Sequence, residues 1–367
     1  MPICDGHDSP IITVNLELVR HGVEVIYLGY HRSVRDIVRA AIQEDVQAIG
    51  LSSYNGGHVE FFSEVLRELR RAGAGDIGVF GGGGGTITPA DAKLMKRQGV
   101  DEIFCAGAPL TEIVEFVKQR YTGRGRMKAA AGRTQHESTD LELARTLTLA
   151  ENASNDRVAP PIRNRKSPIA TQTIGFTGPG GAGKTTLIDE LVLRFLRDKP
   201  GRQLAILSHD PSLVGAGALL GDRATMIYSQ DDRVFMRSLA TRSQKGGLAR
   251  ATARCLKILK SGAFDLLIVE TVGVGQEAMP FVRGLVDKVV FVMGPDYGSR
   301  LQLQKIAMLD LADVVVVNKS DLPGAKTAAA EIEERLARNQ RGQLLVSTVA
   351  KRHGDAGVDQ LFRELIQ

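Results

Sequence analysis

The sequence reads as an α/β protein built from two doubly wound parallel-sheet domains. Three observations lead there. Short, strongly apolar runs alternate with amphipathic stretches of helical period along most of the 367 residues. Such alternation builds βαβ units, whose crossover helices cover both faces of a parallel sheet. The rhythm runs twice, over 1–121 and over 172–367, on either side of a segment, 122–171, rich in Ala, Gly, Ser and Pro.

In the first half the candidate strands are 23–29 (VEVIYLG), 48–53 (AIGLSS), 77–82 (IGVFGG) and 102–107 (EIFCAG). Helix-like stretches fall near 10–21, 33–44, 58–72, 89–98 and 109–120. Thr88 followed by Pro89 suits an N-cap with proline at the first helical position. Only MPIC precedes Asp5, so a strand at the very start would be short. Between the halves, 134–153 suits one helix, and the turn-rich 157–168 (RVAPPIRNRKSP) suits an extended linker. The second half has more apolar strands, as central strands buried on both faces require. They are 173–177, 203–208, 265–270, 288–293, 313–318 and 343–348.

Composition excludes several classes of function. The hydrophobic share is 43% and the charged share 24%, an ordinary globular balance. The net charge of +5 sits in one place: residues 120–166 hold ten Lys/Arg and five Asp/Glu, and the remainder is balanced. With no aromatics interleaved, that segment reads as a solvated linker, and no nucleic-acid partner is expected. No apolar run reaches the ~18 residues of a membrane span, and the opening MPICDGHDSP has no basic-then-apolar secretory pattern. Cys4, Cys105 and Cys255 fit no metal-ligand spacing and read as buried, reduced thiols. A cytoplasmic protein with no membrane partner is the expectation.

The most specific motif is Gly178-Pro-Gly180-Gly181-Ala182-Gly183-Lys184-Thr185, followed by Thr186. It has the form G-x-x-x-x-G-K-[ST] between a strand and a helix, the setting in which that form cradles phosphates. Glycines let backbone N–H groups turn inward, and the helix N-terminus adds positive potential. Lys184 is expected on the β- and γ-phosphates and Thr185 on Mg²⁺. At the end of strand 313–318 stands Asn318-Lys319-Ser320-Asp321. A carboxylate there accepts from guanine N1–H and the 2-amino group, a pair adenine cannot supply, so the nucleotide is expected to be GTP or GDP. Ser347 ends the next apolar run, where a further loop supports the base. The strand 265–270 ends in Glu270 and enters Thr271-Val-Gly273-Val-Gly275-Gln276. Glu270 is expected at the metal, the Gly273 amide at the γ-phosphate, and Gln276 in the loop that responds to it. Lys184, Glu270 and Gln276 are the catalytic candidates. Asp210 and Asp222 are further magnesium-side candidates.

Taken together, GPGGAGKTT, HDPS…GALLGDR and ETVGVGQ resemble the G-protein chaperones of cobalamin-dependent acyl-CoA mutases. FMRSLATR (235–242) and FGGGGG (80–85) narrow the likeness to isobutyryl-CoA mutase fusions. That resemblance implies magnesium ligation by Thr185, Asp210, Asp222, Glu270 and Thr271. The loop reads DPSL where DPSS is common, and Thr225 stands where Arg often follows GDR.

The first half resembles the flavodoxin-like cobalamin-binding domain of mutases and methionine synthase, with strand order 2-1-3-4-5. The motifs are Asp5-Gly6-His7, then Ser52-Ser53 after one strand, and Gly84-Gly85 after the next. Pro10 replaces the last Gly of D-x-H-x-x-G, and Tyr54 the Leu of S-x-L. The resemblance implies adenosylcobalamin with His7 on cobalt and Asp5 orienting its ring. Ser52 would bond the cofactor's buried base, and Gly84 and Gly85 would leave room for its tail. These 367 residues leave no length for the (β/α)₈ barrel such mutases need, so a large mutase subunit is the implied partner, with an adenosyltransferase and a homodimer as further possibilities. Two other readings stay open: a corrinoid methyl carrier with a GTPase activation module, and a metal-insertion GTPase. The first lacks a helical cap ahead of Asp5; the second lacks a His-rich tract, since the seven His are dispersed.

Overall fold

The computed structural model describes residues 8–53, 56–83, 85–121, 139–153, 171–212, 216–262, 264–273, 280–281, 284–297 and 307–366. Contacts divide the chain into two compact units, Met1–Ile162 with Ser212–Ala224, and Arg163–Pro211 with Thr225–Gln367. The sequence reading had assigned 212–224 to the second half.

The first unit opens with α1 (Asp8–Arg20), β1 (Glu24–Ile26), α2 (Val34–Gln43), β2 (Ala48–Ser52) and α3 (His58–Arg71). It continues through β3 (Gly78–Gly82), α4 (Pro89–Gln98), β4 (Glu102–Phe104), α5 (Leu110–Tyr121) and α6 (Thr139–Asn152). Local chemistry sets these bounds. Ser33 caps α2, accepting from the Asp36 N–H at 3.2 Å. Thr88 and Asp91 close a capping box on α4 with Pro89 in its first turn, each cap contributing about 1 kcal/mol. Strands β2, β3 and β4 pair in parallel in that order. Ile37, Leu51, Phe62, Val65, Val79 and Met95 fill the core between sheet and helices. Helix α6, read from sequence as part of a linker, adds Leu141 to that core, and its Asp140 accepts from Gln43 Nε2 at 3.0 Å.

In the second unit, β5 (Gln172–Thr177), β6 (Leu204–Asp210), β8 (Val234–Ala240), β9 (Leu266–Glu270), β10 (Lys288–Met293), β11 (Val314–Val317) and β12 (Leu344–Ser347) form one sheet. Its order is β12-β11-β10-β5-β9-β6-β8, all parallel. Helices α7 (Lys184–Asp198), α9 (Thr252–Lys260), α10 (Met308–Leu311), α11 (Ala325–Asn339) and α12 (Ala356–Ile366) belong to the same unit. Strand β8 was not read as a strand, because Arg237 and Ser238 break its apolar run although every residue of it is buried.

One expectation for the first unit lies partly outside the described residues, and another departs from the sequence reading. The strand order 2-1-3-4-5 is described only for its last three members, since residues 1–7 lie outside the described residues. The strand expected at 23–29 forms over 24–26 and takes β7 (Ala218–Leu220) as its parallel neighbour. The one-turn helix α8 (Asp222–Thr225) follows at once. Cys105, expected buried, is exposed, because it falls one residue past β4 where the chain turns; Cys255 is buried. Among the described residues no helix is long and apolar enough to cross a membrane.

Candidate functional site

The phosphate loop leaves β5 in the middle of the seven-stranded sheet and enters α7. Its glycines are required for different reasons. A Cβ on Gly178 would lie 1.9 Å from the Val292 carbonyl, and its φ is +143°. Gly183 caps α7 in the left-handed region, with φ +86°, and a Cβ there would lie 2.4 Å from Asn318 Nδ2. Gly180 and Gly181 face open space, the bare cradle that a row of phosphates needs. Ala182 is buried; Thr186 is exposed on the first turn of α7. Lys184 is buried and folds over the loop, donating from Nζ to the Gly178 carbonyl at 3.0 Å and the Pro179 carbonyl at 3.2 Å.

Beside the loop, Thr185 Oγ1 donates to Glu270 Oε1 at 2.7 Å. The register Phe176↔Glu270 puts the carboxylate at the carboxyl edge of the sheet, next to the start of the phosphate loop. Thr271 is buried and bonds the Thr177 hydroxyl at 3.1 Å. Gly273 passes so close to Gly180 that a Cβ would lie 2.6 Å from its backbone nitrogen. Asp210 ends β6, paired with Ala240. Asp222 opens α8 and belongs to the first unit. Gln276 lies outside the described residues. Among the described residues no three His, Cys, Asp or Glu side chains gather as a metal cluster. The donor set near the loop, one hydroxyl and one carboxylate, still fits Mg²⁺, which takes few protein oxygens and keeps water and phosphate as its other ligands.

Asn318 ties the phosphate loop to the loop that follows β12. Its Nδ2 donates to the Ala182 carbonyl at 2.9 Å, and its Oδ1 accepts from Thr348 Oγ1 and the Ala350 N–H, each at 3.0 Å. Lys319 adopts φ +59°, a left-handed turn that sets Asp321 off from the strand. Asp321 pairs with Lys351 at 2.7 Å, and that bond holds its carboxyl below the usual carboxylate range. Ser347, exposed at the end of β12, stands in register with Val317.

Sequence reading missed Lys351 and Thr348, which lie four residues and one residue beyond Ser347. It also missed His209. That imidazole is buried, with Nδ1 at 2.7 Å from the Glu270 carbonyl and Nε2 at 2.8 Å from Thr252 Oγ1. Burial lowers its pKa to about 4. The only signal available was its place beside Asp210 at a strand end.

In the first unit, β2 and β3 end side by side, with Ser53 N–H donating to the Gly82 carbonyl at 2.9 Å. Ser52 ends β2 and Ser53 is buried. Close backbone approach keeps Gly81 and Gly83 bare: a Cβ would meet the Leu51 carbonyl at 2.3 Å or the Ser53 carbonyl at 2.0 Å. Gly56, Gly57 and Gly85 instead face open space, the last two with positive φ. Among the described residues, the open space at these glycines suits a bulky cofactor at the carboxyl ends of parallel strands. Asp5, Gly6, His7 and Gly84 lie outside the described residues.

Comparison with known proteins agrees with both halves. Residues 5–114 match the B12 binding domain. Residues 143–367 match the family described as methylmalonyl-CoA mutase-associated GTPase MeaB. The fused isobutyryl-CoA mutase of Cupriavidus metallidurans is 38% identical over 386 residues, covering 99% of this chain and 34% of that protein. The protein of the same description from Geobacillus kaustophilus is 36% identical, covering 99% and 35%. The mitochondrial methylmalonic aciduria type A homolog of Mus musculus is 34% identical over 248 residues, covering 62% and 58%. The chain thus spans about a third of the length of the fused relatives it matches. With more than half of its length matched, the chain belongs to the methylmalonyl-CoA mutase-associated GTPase family and carries a B12-binding domain ahead of the GTPase domain.

Proposed function

We propose that the protein is a GTP-hydrolysing chaperone joined to the cobalamin-binding portion of an acyl-CoA mutase of the isobutyryl-CoA mutase type. In this reading it loads and protects adenosylcobalamin for a large mutase subunit that holds the (β/α)₈ barrel. An adenosyltransferase that hands over the cofactor, a homodimeric assembly and a cytoplasmic location belong to the same reading.

The observation that carries it is Asn318. Its amide ties the phosphate loop to the loop of Thr348 and Ala350 in one buried hydrogen-bond set. That supports reading Asp321 and the phosphate cradle as the two ends of one nucleotide site. Lys184 supplies positive charge to the β- and γ-phosphates, and the helix N-terminus adds its dipole. Thr185 and Glu270 are the residues that would hold Mg²⁺, which when bound neutralises charge developing on the transferred phosphoryl group. The close approach of Gly273 to Gly180 supports a role for the Gly273 amide at the γ-phosphate. Asp321 accepts the two guanine donors after releasing Lys351. In the other domain, His7 and Asp5 are the expected cobalt ligand and its orienting partner, and Ser52, Ser53, Gly84 and Gly85 line the expected cofactor slot. Bound adenosylcobalamin supplies the radical-forming carbon–cobalt bond to the mutase.

Steady-state hydrolysis of GTP against ATP tests the nucleotide half. GTP is expected to be strongly preferred, and Asp321→Asn is expected to shift preference toward xanthosine nucleotides because the donor pattern inverts. Similar kcat/KM for ATP and GTP in the wild-type protein would refute it.

A further inference from the structure

Strands β6 and β9 lie side by side, but not to their ends. Their register runs from Leu204↔Leu266 to Leu207↔Val269. Beyond it β6 continues against β8 as far as Asp210, and β9 continues against β5 as far as Glu270. The two strands therefore part at the carboxyl edge of the sheet, just where Glu270 stands. A buried backbone carbonyl at such a parting needs a donor from elsewhere.

That donor is His209. Its ring is buried, and Nδ1 donates to the Glu270 carbonyl at 2.7 Å. Nε2 lies 2.8 Å from Oγ1 of Thr252, the first residue of α9, and that hydroxyl donates to the Ala249 carbonyl at 2.6 Å. The loop leading into α9 is bound on either side of the ring. The Thr241 N–H donates to the Asp210 carbonyl, and the Val272 N–H to the Gly247 carbonyl, each at 3.0 Å. Within that loop Arg242 and Ser243 hold φ of +48° and +63°, values that persist only where neighbours enforce them.

A histidine that merely filled the core could face any carbonyl. This one holds the main chain of the residue whose carboxylate takes the Thr185 hydroxyl at 2.7 Å. On the β5 side, the Thr271 N–H donates to the Phe176 carbonyl at 3.0 Å. The end of β9 is thus pinned from both neighbouring strands, by backbone from β5 and by a side chain from β6. We propose that His209 is a positioning residue for magnesium-assisted GTP hydrolysis. It fixes where the Glu270 carboxylate is attached at the sheet edge, and Thr252 fixes the ring. The inference rests on the reading above that Thr185 and Glu270 would hold Mg²⁺, and it adds the residue that aims one of them.

The test uses the full chain at a single pH. Mn²⁺ serves as the spin probe. Its affinity for the complex with a non-hydrolysable GTP analogue is read by electron paramagnetic resonance, with protein in excess over nucleotide. The free Mg²⁺ that gives half-maximal GTP hydrolysis is read beside it. His209→Ala is expected to weaken Mn²⁺ binding about 10–100-fold and to raise the half-saturating Mg²⁺ by a similar factor, the usual effect of losing a group that orients a metal ligand. GDP affinity in the presence of a chelator is expected to stay unchanged. That split separates aiming a ligand from holding the fold, because a damaged fold lowers both. His209→Asn returns an N–H near the Nδ1 position and is expected to recover most of the loss. Should His209→Ala fail to bind GDP at all, Thr252→Val decides. It keeps the ring and removes the hydroxyl beside Nε2, and weaker Mn²⁺ binding with unchanged GDP affinity in chelator is expected. Glu270→Gln is the control on the metal reading. Mn²⁺ affinity lost in Glu270→Gln but kept in His209→Ala, or in Thr252→Val where that variant decides, overturns the positioning role and leaves the metal reading in place. Mn²⁺ affinity kept in Glu270→Gln overturns the metal reading and the positioning role with it.

Discussion

Replacing His209 probes how the carboxyl edge of the sheet is held. Loss of solvation holds its pKa at about 4 instead of 6.5, against the opposing pull of the Glu270 carbonyl. The ring donates from Nδ1 to that carbonyl, and its Nε2 lies 2.8 Å from Thr252 Oγ1, whose hydroxyl donates to the Ala249 carbonyl at 2.6 Å. In the unfolded chain a histidine titrates near ~6.5. Below that pH the unfolded state takes up a proton that the folded state refuses, so stability falls as pH drops from 6.5 toward 4 and levels off beneath. Between pH 7.5 and 4.5 this one group removes about 2.5 kcal/mol, at ~1.4 kcal/mol per pH unit. His209→Asn keeps an amide donor near the Nδ1 position and does not titrate. Urea unfolding is followed at both pH values on the transition whose midpoint GDP raises, which identifies the GTPase unit by ligand protection. The wild-type protein is expected to lose about 2.5 kcal/mol more than the variant over this interval. Equal losses would refute the claim that a buried neutral imidazole braces Glu270.

Two further outcomes follow from the sites. Lys184→Ala removes an ammonium that lies buried on the phosphate loop; GTP binding by titration calorimetry is expected to weaken at least tenfold, the cost of one charged hydrogen bond, with adenosylcobalamin binding unchanged. Loss of both ligands would mean that the two sites do not sit on separate domains. His7→Ala is expected to abolish the nitrogen coupling in the electron paramagnetic resonance spectrum of the cob(II)alamin form, read with ¹⁵N-labelled histidine; Asp5→Ala, removing only the orienting partner, is expected to weaken metal affinity about 10–100-fold. No isotope coupling in the wild-type chain would remove His7 as the cobalt ligand.

Much of the architecture was legible because buried parallel strands announce themselves. VVVV at 314–317 and LLIVE at 266–270 can only be central, and the structure buries every residue of both. The phosphate loop was legible because its glycines answer to backbone geometry: Gly178 and Gly183 each meet a neighbour that no side chain could pass. What periodicity cannot report is a partner. His209, Thr252 and Lys351 are ordinary polar residues in sequence and gain meaning only from what they face. Strand β8 was hidden for a related reason, since a buried Arg237 reads as surface until its neighbours are known. Residues 218–220 were hidden twice over: three residues carry no periodic signal, and their partner is almost two hundred positions away at 24–26.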